Sequence, residues 1–219
     1  MKSKFFLQVI TVVLSIFTFS QTATAAPVEE KLAIQWANST GAKLVETLGN
    51  HDLESKYAML DKMFANDVDG NYIARFVVGK YWKAMSREQQ QNYTNLFKRY
   101  MLSLYKNYPL DFETTDINFT ITSARVGKSN TAVFCIVELP EKMANENFDH
   151  VNLEFTLHEI GGKIKITDLK IGESSLLLTY RGRFYQMIKD VDEDFEWFLE
   201  DLETITVSNE RNAEQNLNL

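Results

Sequence analysis

The hydrophobic pattern changes its period twice along this chain, and these changes restrict the fold more than any other feature. Up to about residue 108, apolar side chains recur every three or four positions, which is the spacing of amphipathic helices. Between residues 116 and 171, apolar and polar side chains alternate instead, as in half-buried strands. From residue 174 the helical spacing returns. The sequence therefore predicts an α+β fold: N-terminal helices packed on a four-stranded antiparallel sheet, followed by a C-terminal helix.

The most sharply defined element is a helix that begins after Ser86. Ser86 and Gln89 have the spacing of a capping box, in which each side chain bonds the backbone N–H of the other residue. Pro109 ends the helix, because proline lacks the N–H that a helix interior requires. The apolar face of this helix comprises Tyr93, Leu96, Phe97, Tyr100, Met101, Leu104, Tyr105 and Tyr108.

The strand pattern occupies residues 117–121, 131–139, 151–157 and 163–171. The second of these segments is apolar on both faces, which predicts a central strand. Gly161-Gly162 predicts a tight turn between the last two strands. The apolar phase of the last segment changes after Ile166, and a bulge near Thr167-Asp168 would reconcile its two halves.

The N-terminus has the three parts of a secretory signal peptide. Two lysines precede an apolar run at residues 5–19, and the small residues Ala23 and Ala25 predict cleavage after Ala25. The run is shorter than the roughly 20 residues that a membrane-spanning helix needs, which favours a cleaved leader over an anchor. We therefore expect export, one mature domain over residues 26–205 and a disordered polar tail over residues 206–219.

Composition excludes several classes of function. The formal net charge is −7, whereas nucleic-acid binding needs a basic face. Cys135, the one cysteine, cannot form an internal disulfide, and its apolar surroundings predict a buried, inert thiol. His150 and His158 would lie too far apart along one strand to bind the same metal ion. The sequence contains no glycine-rich phosphate loop, GxSxG elbow or HExxH motif.

Two acidic segments need an interpretation. Asp67 and Asp69 precede a glycine as in a calcium loop, but Ala65 and Phe76 stand where the first and last carboxylates are required. We interpret these acids as helix caps at a turn. Residues 190–203 contain eight acidic and no basic side chains, which indicates either a solvated helix face or a docking surface for a basic partner.

The chain is rich in aromatic side chains, with 15 phenylalanines, nine tyrosines and three tryptophans. Most of them must be buried, and the pattern allows two arrangements. They either fill a solid core or line an interior cavity between a curled sheet and its helices. Periodicity alone leaves both arrangements open.

Two longer segments carry a family resemblance. Residues 74–105 read ARFVVGKYWKAMSREQQQNYTNLFKRYMLSLY, with Ala-Arg, an apolar pair, Gly79 and Tyr81-Trp82 in succession. Residues 163–184 read KIKITDLKIGESSLLLTYRGRF and pass from a strand into a helix. Both segments resemble the MlaC (toluene-tolerance auxiliary) family of periplasmic phospholipid-binding proteins, and the order of elements is similar over nearly the whole mature chain.

The resemblance implies a fold and a function. The fold is cone-like, with sheet and helices around an interior lipid cavity. The implied function is transport by a periplasmic monomer. It would shuttle glycerophospholipid between an outer-membrane lipoprotein–porin complex and an inner-membrane ABC transporter with an MCE-domain ring. This transport would maintain the lipid asymmetry of the outer membrane. Such a protein is not an enzyme and needs no cofactor or metal. The candidate lipid contacts are the inward apolar residues of the sheet and the facing helices: Phe76, Val77, Trp82, Phe97, Tyr100, Met101, Leu104, Phe134, Ile136, Phe155, Leu157, Leu169, Ile171, Leu176, Tyr180 and Phe184.

Other roles remain open for several polar residues. Arg75 and Arg181 are candidates either to bind a phosphate or to pair with a carboxylate. Asp168 lies on a strand among apolar residues, so a small enzyme of the same fold would use it as general base. A third hypothesis is a periplasmic adaptor with a solid core, which would bind partners through residues 190–203.

Overall fold

Helices precede and follow an antiparallel sheet, as the change in hydrophobic period predicts. The structure is a computed structural model that describes residues 25–107, 118–139 and 149–217. The predicted signal sequence up to residue 24 and the predicted helix end at Pro109 lie outside this range. The elements are α1 (Glu30–Leu48), α2 (Leu53–Asp67), α3 (Gly70–Val78), a 3₁₀ helix (Gly79–Lys83), α4 (Arg87–Lys106), β1 (Asn118–Val126), β2 (Thr131–Glu138), β3 (His150–Ile160), β4 (Lys163–Ile171), β5 (Ser174–Ser175), α5 (Leu176–Asp190) and α6 (Phe195–Leu217).

The sheet has five strands in the order β1-β2-β3-β4-β5, one more than the four predicted. The additional strand is two serines long, too short and too polar to produce an alternating pattern. The predicted bulge is confirmed: Thr156 pairs with Asp168 but Leu157 pairs with Ile166, which leaves Thr167 as the extra residue. The glycine turn between β3 and β4 is also confirmed, and both glycines adopt positive φ.

Helix boundaries follow the capping signals in the sequence. Ser86 and Gln89 form the predicted capping box at the start of α4. Asp52 caps α2 by accepting a hydrogen bond from the backbone N–H of Ser55. Asp69 caps α3 in the same way through the N–H of Tyr72, so the interpretation as a helix cap is confirmed for Asp69, whereas Asp67 is the last residue of α2.

The C-terminal tail differs from its prediction. Residues 206–219 were expected to be disordered, but α6 continues as a helix through Leu217. Two contacts with α4 and its C-cap hold this extension: Arg99 binds Glu210 at 2.8 Å, and the Asn107 side chain donates to the backbone oxygen of Asn209 at 2.9 Å. Ala213 is also buried. The partner of Glu210 lies over a hundred residues away along the chain, so a local pattern of polar residues gives no sign of it.

The buried side chains form two clusters. In the first, which we call the helical core, aromatic rings of α4, α5 and α6 meet edge to face; Phe97 and Phe184 have their centroids 5.6 Å apart. In the second, the sheet core, α1 packs on one face of the strands. The helical core comprises Ala74, Val77, Val78, Tyr81, Met85, Tyr93, Leu96, Phe97, Tyr100, Met101, Phe184, Ile188, Phe198 and Leu202. The sheet core comprises Val28, Ala33, Ala37, Val133 and Leu157.

Two buried tyrosines of the helical core provide a stability test. The Tyr93 hydroxyl donates to the backbone oxygen of Ala74 at 3.0 Å, whereas the Tyr100 hydroxyl has no hydrogen-bond partner. Because a net hydrogen bond contributes about 1 kcal/mol, we expect Tyr93→Phe to lower the free energy of unfolding by about that amount. Tyr100→Phe removes an unpartnered group and should not lower it. Urea denaturation of both variants measures the difference, and equal losses would contradict the assignment.

Candidate functional site

A cavity of about 130 Å³ lies between the helical core and the sheet core. Strands β3 and β4 form one wall, and helices α2, α3, α4 and α5 form the other. Phe97 and Met101 border it from the helical core, while Phe155 and Ile166 border it from the side of the sheet core. The lining residues are Phe64, Val68, Ile73, Phe97, Met101, Tyr105, Phe155, Ile166, Thr167, Asp168, Leu169, Leu176, Leu177 and Tyr180.

The bulge in β4 gives the sheet side of the cavity its apolar surface. In a regular strand, Ile166 and Leu169 would point to opposite faces, because side chains alternate. The extra residue Thr167 shifts the alternation, so Ile166 opposite Leu157 and Leu169 opposite Phe155 lie on the same face. The phase change that is visible in the sequence therefore builds one wall of the cavity.

Asp168 is the one charged side chain among these lining residues. Its Oδ2 accepts a hydrogen bond from the Ser175 hydroxyl at 2.6 Å, and its Oδ1 accepts one from the backbone N–H of Leu177 at 3.0 Å. Both carboxylate oxygens thus bind the first turn of α5, where the helix dipole favours negative charge. This geometry fastens β4 to α5, and the rest of the cavity is suited to an apolar ligand.

A polar junction, the α3–α5 junction, joins α5 to the start of the 3₁₀ helix directly after α3, on the wall formed by the helices. The Tyr185 hydroxyl accepts hydrogen bonds from the backbone N–H of Lys80 at 3.1 Å and from Arg181 Nη2 at 3.0 Å. Burial raises the pKa of Tyr185, but these bonds and the neighbouring positive charges outweigh burial and leave the pKa below its ordinary value. The junction fixes the helices that carry Ile73 and Tyr180 to the cavity.

The structure brings only part of the predicted contact set to the cavity. Val77, Tyr100 and Phe184 are buried in the helical core, and Leu157 is buried in the sheet core. Trp82 and Leu104 are half-buried against the helical core. The predicted residues that line the cavity are Phe97, Met101, Phe155, Leu169, Leu176 and Tyr180.

The remaining predicted contacts lie away from the cavity. Phe134 and Ile136 follow residues of β2 that face α1, so they lie on the opposite face of the sheet. Ile171 is 45 % exposed at the end of β4. Phe76 lies under the guanidinium of Arg181, 4.9 Å from its ring centroid.

The two arginines proposed for phosphate binding also lie outside the cavity lining. Arg181 bonds Tyr185 within the α3–α5 junction. Arg75 lies over the ring of Trp82, 6.0 Å from its centroid. Neither arginine forms an ion pair with the described carboxylates.

Sequence reasoning missed half of the lining residues. Tyr105 lies on the predicted apolar face of α4, and its ring centroid is 6.5 Å from that of Phe64 in α2. Apolar side chains recur at helical spacing in both segments, so helical periodicity was the available signal for both residues. The other residues that were missed are Val68, Ile73, Ile166, Thr167 and Leu177.

The remaining polar candidates have structural roles. His158 bonds Asp69 at 2.9 Å, and no cluster of three or more His, Cys, Asp or Glu residues suits a metal ion in the described ranges. Burial raises the pKa of the Cys135 thiol. Within the acidic segment, Glu203 pairs with Arg99 and Glu193 accepts from the Tyr81 hydroxyl.

Comparison with known proteins identifies the family. The family model described as MlaC protein matches residues 38–204, from within α1 to within α6. The chain belongs to the MlaC family. No curated protein matches this MlaC family member.

A solved structure shares the fold. It is the phospholipid-binding protein from Ralstonia solanacearum, determined in complex with a phospholipid, and it superimposes with a TM-score of 0.65 at 17 % sequence identity. The match covers 81 % of this chain and 98 % of that protein. At this identity the similarity establishes a common fold for the MlaC family member. In the residues that the structure describes, no helix is long and apolar enough to cross a membrane.

Proposed function

We propose that this MlaC family protein binds a glycerophospholipid by its acyl chains in the cavity between helices and sheet. The proposal depends on the apolar lining of the cavity. Asp168 is the one carboxylate among the lining residues, and both of its oxygens accept hydrogen bonds from within the protein. Membership of the MlaC family and a fold shared with a phospholipid-bound protein support the proposal. The protein acts as a monomeric carrier and not as an enzyme.

The energetics of acyl chains explain why a carrier is needed. Two chains of about 16 carbons remove on the order of 30 methylene groups from water, at roughly 0.8 kcal/mol each. This free energy prevents unaided diffusion across an aqueous compartment. Transfer from a bilayer to an apolar cavity recovers almost none of it, since both environments are apolar. Loading and release therefore depend on partners, which we propose are an inner-membrane ABC transporter with an MCE-domain ring and an outer-membrane lipoprotein–porin complex.

The volume of the cavity indicates that it must widen to hold a lipid. It measures about 130 Å³, below the range of roughly 300–1,000 Å³ that is usual for ligand pockets. Asp168 holds α5 to β4, and the backbone N–H of Asp69 bonds the oxygen of Ile166, so the helical wall is fastened to the sheet at two points. We therefore expect the room for a lipid to come from rotation of lining side chains such as Tyr105, which is 41 % exposed.

We propose export with cleavage after Ala25, which would preserve the N-terminal contacts of the mature chain. Ala26 pairs with Glu159 of β3 through two backbone hydrogen bonds of 3.0 and 2.8 Å. Two residues later, the backbone oxygen of Val28 accepts a hydrogen bond from the Thr131 hydroxyl. A mature chain that begins at Ala26 keeps both contacts.

The two alternative functions have less support. General-base catalysis by Asp168 has less support because its two oxygens already hold Ser175 and the first turn of α5, and no histidine, cysteine or second carboxylate stands among the described lining residues. Docking through residues 190–203 would require a common acidic face. Asp194 instead caps α6, and Glu203 pairs with Arg99.

Lipid extraction tests the proposed function directly. We expect the mature protein, purified from a bacterial periplasm and extracted with solvent, to yield a stoichiometric amount of glycerophospholipid by mass spectrometry. A secreted protein without an apolar cavity, purified in parallel, measures carry-over. A folded, monomeric protein that yields no more lipid than this control would refute phospholipid binding.

A further inference from the structure

A buried hydroxyl without a partner lies next to the cavity. Tyr100 is fully buried, and its hydroxyl oxygen has no hydrogen-bond partner. Such a group is costly unless another polar atom satisfies it, and buried polar side chains in folded proteins are nearly always satisfied. The unsatisfied donor therefore points to a partner that is not part of this chain.

A cation without an ion-pair partner among the described residues lies over the ring that carries this hydroxyl. The guanidinium of Arg183 lies 5.7 Å from the centroid of the Tyr100 ring. Arg183 is exposed and forms no ion pair with any carboxylate in the described ranges. Burial raises the pKa of Tyr100, and the charge of Arg183 opposes that effect, as expected for neighbouring groups.

The pair adjoins the lining of the cavity. Tyr100 packs edge to face against Tyr180, with ring centroids 6.5 Å apart, and Tyr180 lines the cavity. On α4, Tyr100 lies between Phe97 and Met101, which both line the cavity. Tyr100 is itself buried outside the lining, so a ligand reaches its hydroxyl only when the cavity widens past Tyr180, as the binding of a whole lipid requires. The guanidinium of Arg183 then lies at the exposed side of the same ring.

We propose that Tyr100 and Arg183 bind the phosphate of the lipid whose acyl chains occupy the cavity. The phosphate oxygens accept one hydrogen bond from the Tyr100 hydroxyl and charge-assisted hydrogen bonds from the Arg183 guanidinium. This inference rests on the proposed function and specifies how the carrier distinguishes phospholipid from uncharged lipid with the same acyl chains.

Two lipids with identical acyl chains, phosphatidylglycerol and diacylglycerol, test the inference. Affinities are measured on the delipidated mature protein by displacement of a fluorescent fatty acyl probe. We expect Arg183→Gln to weaken phosphatidylglycerol binding by about tenfold, the usual effect of one charge-assisted hydrogen bond. Tyr100→Phe should weaken it by a few-fold. Diacylglycerol binding should change less than about twofold in either variant.

The controls separate a phosphate contact from other causes. Arg211→Gln makes the same change at an exposed position of α6 and should leave both affinities unaltered. Unchanged phosphatidylglycerol affinity in Arg183→Gln and Tyr100→Phe, or an equal loss of both lipids, would overturn the inference. Inorganic phosphate that binds the wild type as tightly as phosphatidylglycerol would also overturn it, in favour of a free-phosphate site. If the wild type bound neither lipid, the proposed function itself would fail.

Discussion

Leu177→Glu is expected to weaken phospholipid binding by a factor of about 100 or more, because it places a carboxylate against buried acyl chains. Leu177 lines the cavity from the first turn of α5. A charge there either remains unpaired in an apolar environment or takes up a proton at a cost in free energy. Both outcomes raise the free energy of the lipid-bound state, because the lipid displaces water from around the carboxyl group.

The next residue provides a matched control. Leu178 is 60 % exposed, and Leu178→Glu makes the same change one position further along α5. The hydroxyl of Ser175 already accepts the N–H of Leu178, so glutamate at this position would complete a capping box. We expect this variant to bind phospholipid within about twofold of the wild type and to be slightly more stable.

Lipid per purified chain, measured by mass spectrometry, distinguishes the two variants. Circular dichroism verifies that both are folded, and Leu177→Gln replaces Leu177→Glu if the charged variant is not. Retention of stoichiometric lipid by folded Leu177→Glu would show that the acyl chains do not occupy this cavity. Equal losses in both variants would mean that the helix start, and not the cavity, determines binding.

The bulge in β4 shows what a sequence can predict about such a cavity. The apolar side chains of β4 change phase after Ile166, and this change is visible within a few residues of sequence. An extra residue near Thr167 brings both halves of the strand onto one face. Capping boxes and the glycine turn are visible over the same short range. These features fix the course of the chain, and with it the face of β4 that meets the helices.

The division between cavity and solid core could not be predicted in this way. Phe97, Tyr100 and Met101 lie on one apolar stripe of α4, yet only Phe97 and Met101 reach the cavity. A stripe indicates the side of a helix that is buried. Whether space remains on that side depends on the volumes of side chains from β3, β4 and α5, which lie far away in the sequence.

Strand β2 shows a second limit of the pattern. Both of its faces are apolar, and the prediction chose Phe134 although nothing in the pattern distinguishes it from Val133. The pairing decides the matter: Val133 lies opposite Phe155, which borders the cavity, whereas Phe134 lies opposite Glu154. The register of β2 against β3 determines which side chains face the cavity. An apolar residue on the other face of β2 cannot be distinguished from them in the sequence.

Gly79 occupies a position that only glycine can fill without strain. It ends α3 with φ +48° and ψ −110°, a conformation that side chains with a Cβ rarely adopt. A Cβ atom at this position would collide with the Tyr185 hydroxyl and approach Arg181 Nη2 to 2.8 Å. The collision would break the junction between α3 and α5, the helices that carry Ile73 and Tyr180 to the cavity.

Two identical substitutions should therefore have opposite effects on stability. Gly79→Ala combines backbone strain of about 1–3 kcal/mol with the loss of the Tyr185 bonds, so we expect the free energy of unfolding to fall by about 3 kcal/mol or more. Gly182 lies within α5 with nothing near its missing Cβ, and Gly182→Ala should raise that free energy by about 0.5–1 kcal/mol. Urea midpoints measure both changes. The double variant Gly79→Ala/Tyr185→Phe should recover the part due to the collision but not the part due to φ, and a neutral Gly79→Ala would contradict the geometry of the junction.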